Sequence, residues 1–174
     1  AGAGLVVTNA HVVAGETDTV VQIKGTGPDF PAQSLVFDPH DDIAILHVSG
    51  LSQPALSLLA DPAAGTAAAI LGYPLDGPFD AEPARIGTTQ QVSTENAYGN
   101  GPVQRSITPL RGLVRPGNSG GPLIDAGGRV AGTVFAAVTG AGGGGFAVPN
   151  AVVAGQLARA RARAGAVSTG PCAA

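Results

Sequence analysis

The fold of this chain is decided by one stretch, Arg115-Pro116-Gly117-Asn118-Ser119-Gly120-Gly121-Pro122-Leu123. Glycine tolerates positive φ, so the backbone can turn sharply here and leave the Ser119 hydroxyl exposed on a tight bend. Such a bend also directs successive backbone N–H groups into one concave space, which is what a developing oxyanion needs. For this stretch alone, a glycine-rich turn without a chemical role is an equally good explanation.

The composition argues against a membrane-spanning or nucleic-acid-binding chain. Of the 174 residues, 44% are hydrophobic and 12% are charged, and the longest apolar runs are far too short to span a bilayer. The net charge is −3, with no basic face interleaved with aromatic residues, so we expect no nucleic-acid partner. Eleven of the twelve acidic residues precede residue 96, and seven of the nine basic residues follow it. This asymmetry indicates two lobes of opposite charge, or compositional drift alone.

Short β-rich runs separated by turn residues predict an all-β protein. The predicted strands lie at residues 5–8, 19–23, 32–37, 43–48, 67–71, 85–92, 103–109, 122–124, 130–136 and 145–148. Strands this short are typical of antiparallel sandwiches and barrels, whereas a parallel α/β sheet needs helical crossovers that the sequence does not contain. The one predicted helix covers residues 151–164, with Asn150 as its N-cap and Gly165 at its end.

We divide the chain into four segments. An acidic, proline-broken loop at residues 75–83 is expected near the junction between two lobes. This predicts a first lobe over 1–82 and a second lobe over 83–149, followed by a helix over 150–165 and a tail over 166–174. Within the second lobe, the glycine run at 139–145 is expected to form the tip of a hairpin.

Three histidines and one aspartate are the main candidates for chemistry. His11 ends an apolar strand, His40 belongs to an acidic turn, and His47 lies within a predicted strand. Asp42 immediately precedes a strongly apolar run, where a carboxylate can be half buried and still accept hydrogen bonds. A single histidine is more often structural than chemically active, so each histidine alone is a weak candidate.

Chain order distinguishes two enzyme architectures. The stretch Gly117-Asn118-Ser119-Gly120-Gly121 also fits the Gly-x-Ser-x-Gly elbow of α/β-hydrolases, in which an acidic residue and then a histidine follow the serine. No histidine follows Ser119, and the helices of that fold are missing, so the sequence excludes it. The available order is His11, Asp42, Ser119, which is that of the two-barrel serine proteases.

Six stretches together carry a family resemblance. They are Thr8-Asn9-Ala10-His11-Val12-Val13, Asp42-Ile43-Ala44-Ile45-Leu46, Leu71-Gly72-Tyr73-Pro74, Gly117-Asn118-Ser119-Gly120-Gly121-Pro122-Leu123, Gly128-Arg129-Val130-Ala131-Gly132 and Gly145-Phe146-Ala147-Val148-Pro149. They resemble trypsin-like serine proteases of the bacterial HtrA (Deg) type, in particular the MarP-type membrane-anchored periplasmic proteases of actinobacteria. The resemblance covers nearly the whole chain. It implies two six-stranded antiparallel β-barrels and a C-terminal helix, with the first strand of the N-terminal barrel absent from this sequence.

The resemblance also implies a role for each candidate. His11 would be the general base, Asp42 its orienting partner and Ser119 the nucleophile of a serine endopeptidase. The oxyanion hole would consist of backbone N–H groups at Gly117, Asn118 and Ser119. No metal and no cofactor is implied.

Substrate preference is implied in the same way. Leu113 stands six residues before Ser119, where a basic-specific protease of this family carries an acidic residue, so we expect a small or medium apolar P1 residue. The residues expected to bind substrate are Leu113, Thr133, Val134, Phe135, Ala136 and Phe146. Arg111 and Arg115 flank the site and are expected to favour acidic residues beside the cleavage site.

The expected setting is extracytoplasmic, in the periplasm or at the cell surface. Cys172 is the only cysteine, so by the resemblance it would pair with a cysteine upstream of Ala1 in an oxidising compartment; an inert thiol is the alternative. A membrane anchor would also lie in upstream sequence. The expected partner is a peptide or protein substrate. The alternative function is a catalytically idle peptide-binding module on the same fold.

Overall fold

The computed structural model describes residues 4–138 and 143–173, which form two β-sheets and two helices. The first sheet has four antiparallel strands in the order β1-β4-β3-β2. They are β1 (Leu5–Thr8), β2 (Val20–Val21), β3 (Phe30–Asp38) and β4 (Ile43–Val48). A short helix, α1 (Ala10–Val13), follows β1. The predicted all-β class is confirmed.

The second sheet closes into a barrel. Its strands are β5 (Ala67–Gly72), β6 (Asp80–Ile86), β7 (Gln90–Thr94), β8 (Val103–Arg111), β9 (Pro122–Asp125), β10 (Val130–Ala137) and β11 (Gly145–Val148). Their order is β11-β10-β9-β5-β6-β8-β7, and β11 also pairs with β8, so six strands close a ring with β7 outside it. The first lobe, expected to be a six-stranded barrel without its first strand, is a four-stranded sheet within the described residues. Part of the predicted glycine tip, residues 139–142, lies outside those residues.

Residues Ile43–Leu46 of strand β4 form an uninterrupted apolar run because both faces of the strand are buried there. Ile43 and Ile45 pack with Val153 of helix α2 (Asn150–Arg161). The side chains that alternate with them belong to a separate cluster around Val13 of α1. A strand that is buried on both faces shows no alternation of polar and apolar residues. The packing of Ile43 and Ile45 against Val153 places helix α2 against one face of the first sheet.

Helix α2 covers Asn150–Arg161 rather than residues 151–164, and the prediction that Asn150 caps it is wrong. Its N-cap is Pro149, and the Asn150 side chain is buried. There the Asn150 Nδ2 donates to the carbonyls of Leu59 and Val130, at 2.7 Å each. An N-cap side chain must hydrogen-bond to the backbone of its own helix, whereas the Asn150 side chain bonds to carbonyls outside the helix. Within the described residues, no helix is long and apolar enough to span a membrane.

The junction between the lobes lies earlier than predicted. Strand β5 pairs with β6 along its whole length, so both belong to the second sheet. The predicted boundary between residues 82 and 83 is therefore wrong, because it falls inside β6; the chain passes from one sheet to the other between Val48 and Ala67. Prolines on both sides of the β5–β6 connection gave this hairpin the composition of a linker. The predicted strand over 85–92 is also two strands, β6 and β7.

The tail lies across the first lobe. The Val167 N–H donates to the Ser34 carbonyl at 2.7 Å, and the Gly15 N–H donates to the Thr169 carbonyl at 3.2 Å. Tyr98, in the loop between β7 and β8, donates its hydroxyl to the same Thr169 carbonyl at 3.3 Å. The tail and a hairpin of the second sheet therefore meet on the first lobe.

Candidate active site

Two neighbouring strand ends bring His11 and Asp42 together. Strands β1 and β4 are paired with Thr8 opposite Ala44, so the turn after β1 and the residue before β4 lie at the same edge. The His11 Nδ1 and the Asp42 Oδ2 are 2.8 Å apart, and the backbone N–H of His11 donates to the Asp42 Oδ1 at 3.0 Å. Because the carboxylate accepts from Nδ1, the lone pair of the ring lies on Nε2. Asp42 is 3% exposed.

The other two histidines lie away from this pair. His47 is exposed on strand β4, and His40 is exposed with its Nδ1 3.1 Å from the Asp41 Oδ1. Asp38, His40 and Asp41 bring their ligand atoms within 4.8 Å of one another. Their contacts are those of a turn, since the Asp38 Oδ1 accepts the backbone N–H groups of His40 and Asp41. Among the three histidines, His11 alone contacts Asp42.

The loop that carries Ser119 is fixed against the His11 side by Asn9. The Gly120 N–H donates to the Asn9 Oδ1 at 2.6 Å and to the Val134 carbonyl at 2.9 Å. The Asn9 Nδ2 in turn donates to the Asp42 carbonyl at 2.8 Å, and Asn9 is completely buried. One asparagine side chain therefore joins the aspartate to the residue after the serine.

Two glycines of this loop have positive φ and no space for a side chain. Gly117 has a φ of 90°, and a Cβ there would lie 2.5 Å from the Tyr73 carbonyl oxygen. Gly120 has a φ of 77°, and a Cβ there would lie 2.5 Å from the Thr8 Oγ1. Both the backbone conformation and the close approach therefore require glycine.

The backbone N–H groups of the loop divide into used and unused ones. The Asn118 N–H donates to the Arg115 carbonyl at 3.0 Å, so this group is not available to an oxyanion, and its prediction as a donor is wrong. The N–H groups of Gly117 and Ser119 have no acceptor among residues 4–138 and 143–173. The Ser119 hydroxyl also has no hydrogen bond within those ranges. Catalytic hydrogen bonds are often long without substrate, so this geometry does not exclude His11 as its base.

The sequence model of one family, the trypsin-like peptidase domain, matches residues 1–132 of this chain. The chain belongs to that family. Serine protease Rv3671c of Mycobacterium tuberculosis is 44% identical over 169 residues, which make up 96% of this chain and 42% of that protein. Mitochondrial serine protease HTRA2 of Drosophila persimilis is 36% identical over 165 residues, or 92% of this chain and 37% of that protein. The peptidase domain thus spans about two fifths of the length of these relatives.

Solved structures agree with this assignment. The crystal structure of the active form of Rv3671c superposes with a TM-score of 0.90 at 41% identity, covering 98% of this chain and 75% of that one. The HtrA-type protease AlgW with a decapeptide superposes with a TM-score of 0.80 at 26% identity, covering 93% of this chain and 50% of that one. The resemblance to HtrA-type and MarP-type proteases is confirmed.

A cleft of about 520 Å³ opens beside His11 and Asp42 in the peptidase domain. Three of the six predicted substrate-binding residues, Phe135, Ala136 and Phe146, line it. The other three lie elsewhere. Leu113 is exposed, and Thr133 lines a separate apolar cavity. The Val134 side chain is buried, and its carbonyl accepts the Gly120 N–H.

The arginine of this cleft was not predicted from the sequence. Arg105, on β8, is 6% exposed, and its guanidinium carbon lies 4.4 Å from the centre of the Phe135 ring. Burial lowers the pKa of Arg105, and the negative charges of Asp42 and Asp41 partly offset this shift. Arg115, which was expected to attract acidic residues, is paired with Asp80 at 2.6 Å.

Asn9 was also missed as a positioning residue. It appears in the motif Thr8-Asn9-Ala10-His11, but the sequence gives no sign that its amide reaches both Asp42 and Gly120. The available signal was a polar residue between an apolar strand and a candidate base. A buried asparagine must satisfy both ends of its amide, so such a position favours a bridging role.

Proposed function

We propose that this chain is the catalytic domain of a serine endopeptidase in which His11, Asp42 and Ser119 act together. The observation that carries the proposal is the hydrogen-bonded connection from Asp42 through Asn9 to Gly120, which fixes the serine loop relative to the His11–Asp42 pair. Family membership supports the same reaction.

In this mechanism the Ser119 Oγ attacks the carbonyl carbon of the scissile peptide bond, and the Nε2 of His11 takes the hydroxyl proton. The C–N bond then breaks, and the same proton passes from Nε2 to the leaving amine. Water then attacks the carbonyl carbon of the resulting ester and gives a proton to the Nε2 of His11. The ester C–O bond breaks, the proton passes from Nε2 to the Ser119 Oγ, and the carboxylic acid product leaves. Asp42 holds Nδ1 as the donor throughout and stabilises the imidazolium.

The oxyanion of the tetrahedral intermediates would be bound by the N–H groups of Gly117 and Ser119. These two donors have no acceptor among the described residues, which supports this role. They also need no rearrangement from other partners when negative charge develops. Loss of one such donor typically lowers kcat about 10²- to 10³-fold.

The substrate would be a peptide or protein, held along the cleft beside His11. The structure of the HtrA-type protease AlgW with a decapeptide supports a peptide ligand for this family. For the P1 position we retain the expectation of a small or medium apolar residue. A library of peptides that differ only at P1 tests it, and faster cleavage after Arg, Lys or Asp than after Ala or Val would contradict it.

A fluorophosphonate probe tests the reaction directly, because it labels a serine only when a base activates the hydroxyl. The probe is expected to label Ser119 in the parent and nothing in Ser119→Ala, while turnover of a peptide substrate falls by about six orders of magnitude. Absence of labelling in a folded protein would contradict the proposal and favour the idle peptide-binding module.

We further propose that the protein works outside the cytoplasm, with Cys172 in a disulfide to a cysteine upstream of Ala1. Cys172 is exposed, and it lies against Gly15, where the tail is anchored to the first lobe. Alkylation of the whole, unreduced protein followed by mass spectrometry should find Cys172 unmodified. A fully alkylated Cys172 would contradict the disulfide.

A further inference from the structure

Arg105 is a buried cation whose hydrogen-bond donors are unused. Its Nε and Nη1 are buried and have no partner within the described residues. The side chain lies on the wall of the cleft that also contains His11 and Asp42. Buried polar groups almost always have partners, and an unpaired buried charge is costly, so these donors need an explanation.

The nearby carboxylates do not provide one. Both oxygens of Asp42 accept from His11, one from its backbone and one from its ring. Asp41 has its Oδ1 3.1 Å from the His40 ring, in the turn before β4. Glu95 also lines the cleft, but it is exposed and therefore solvated. Asp42 and Asp41 therefore compensate the charge of Arg105 only at a distance.

The contact with Phe135 leaves the donors unused as well. A guanidinium over an aromatic ring gains a cation–π attraction through its flat face. Its N–H groups point outward in the plane of the group, where they match the two oxygens of a carboxylate. Stacking on Phe135 therefore orients the guanidinium without using any of its N–H groups.

We propose that Arg105 forms a subsite for an acidic side chain of the substrate, close to the scissile bond. The carboxylate of a Glu or Asp would accept from the Arg105 guanidinium, beside Phe135. Arg115 does not compete for it, because Asp80 and Glu82 already accept from its guanidinium. This inference rests on the proposed endopeptidase function, which supplies the peptide in the cleft.

Binding to a variant that cannot cleave separates the two proposals. In Ser119→Ala, peptides that differ only by Glu or Gln at one position are titrated by fluorescence anisotropy, scanning each position around the cleavage site. All peptides have an amidated C terminus, so that the side chain is the only carboxylate. We expect the Glu peptide to bind about tenfold more tightly at one position, as a charge-assisted hydrogen-bond pair would give.

The control variants decide whether Arg105 is responsible. Adding Arg105→Gln to Ser119→Ala should make the Glu and Gln peptides bind equally, whereas adding Arg161→Gln, which removes an exposed charge on α2, should leave the tenfold preference intact. If Arg105→Gln does not fold, Arg105→Met keeps the apolar stem over Phe135 and removes the donors.

Two results would overturn the subsite: equal binding of Glu and Gln peptides at every position, or a preference that survives loss of Arg105. Fluorophosphonate labelling of the parent is scored separately. A preference without labelling would reject the endopeptidase and keep the subsite, and labelling without a preference would do the reverse.

Discussion

The two glycine-containing loops at the ends of β9 are held in opposite ways. In the loop after β9, the Asp125 carboxylate accepts from the backbone N–H groups of Gly127 and Arg129 and from the Arg129 guanidinium, at 2.7–2.9 Å. In the loop before β9, the Gly120 N–H donates to Asn9, 111 residues away in sequence. The first loop is stabilised within itself, whereas the second, besides its own hydrogen bonds, is tied to the other lobe.

The two loops differ in whether their hydrogen-bonding groups remain available to a ligand. A turn that satisfies its own donors leaves none for a ligand, and the carboxylate of Asp125 is consumed locally. The serine loop leaves two N–H groups without acceptors among the described residues, and other elements hold it in place. Paired substitutions in the two regions can test this contrast.

The largest expected effect is a difference in kcat between substitutions of two buried carboxylates, Asp42 and Asp125. Asp42→Asn should lower kcat about 10⁴-fold, because two donors of His11 face the side chain and an amide can accept only one of them with its oxygen. The other then meets an NH₂ group, which favours the wrong tautomer of the ring. Asp125→Asn should lower stability and leave kcat unchanged. Peptide hydrolysis and urea unfolding of both variants measure this, and similar kcat values in the two would contradict the assignment of Asp42.

A smaller effect is expected from two glycines with similar φ. Gly120→Ala and Gly128→Ala each place a side chain at φ near 75°, which should cost about 1–2 kcal/mol of stability in both cases. A Cβ on Gly120 also meets Thr8, whereas a Cβ on Gly128 has nothing within 4 Å. We therefore expect kcat/KM to fall about 10²-fold in Gly120→Ala only. Retained activity in Gly120→Ala, with normal unfolding, would show that the loop does not depend on this contact.

Two buried asparagines provide the next comparison. Asn9→Ala removes the link between Asp42 and Gly120, and Asn150→Ala removes two hydrogen bonds to backbone carbonyls elsewhere. Each should lose about 1–3 kcal/mol of stability, since buried partners are left unsatisfied. Only Asn9→Ala should also lower kcat/KM. The loss should be limited to about tenfold, because the Gly120 N–H keeps its second acceptor, the Val134 carbonyl. An equal loss of activity in both variants would mean that general destabilisation explains it.

The smallest effect concerns acid stability of the self-contained loop. The hydrogen bond from the Arg129 side chain is the main cause that lowers the pKa of Asp125 below 3.8. A lowered pKa stabilises the fold above the unfolded value, and this contribution is lost as the pH falls through the folded value. Thermal unfolding should therefore show a small deficit of Tm in Arg129→Gln at about pH 7 that shrinks below about pH 4. A deficit that does not change with pH would exclude the ion pair as its source.

Local patterns predicted much of the fold. Strands β1, β4 and β11 begin and end where they were predicted, because their apolar runs are bounded by polar or turn residues. The lobe junction was predicted wrongly, because Pro83 lies within β6 and gives a paired strand the composition of a loop. Composition reports turn propensity, whereas pairing with β5 decided the outcome.

The candidate catalytic residues could be predicted from the sequence, whereas the buried polar residues around them could not. His11, Asp42 and Ser119 follow from motif and chain order, and the first two are in contact. Arg105 gave no such signal, and Asn9 gave only its position between an apolar strand and a candidate base, because the role of a buried polar side chain depends on partners distant in sequence. The contact of Asn9 with Gly120 exists only after the two lobes meet, and that of Arg105 with Phe135 only after β8 and β10 have joined the same sheet.

Helix α2 has a consequence for the order in which the protein is made. Its Val153, Leu157 and Ala160 complete the apolar cluster behind β4, although β4 is synthesised about a hundred residues earlier. Until those residues emerge from the ribosome, Ile43 and Ile45 have no helix to cover them. The nascent chain therefore exposes an apolar strand next to Asp42 until helix α2 has been synthesised.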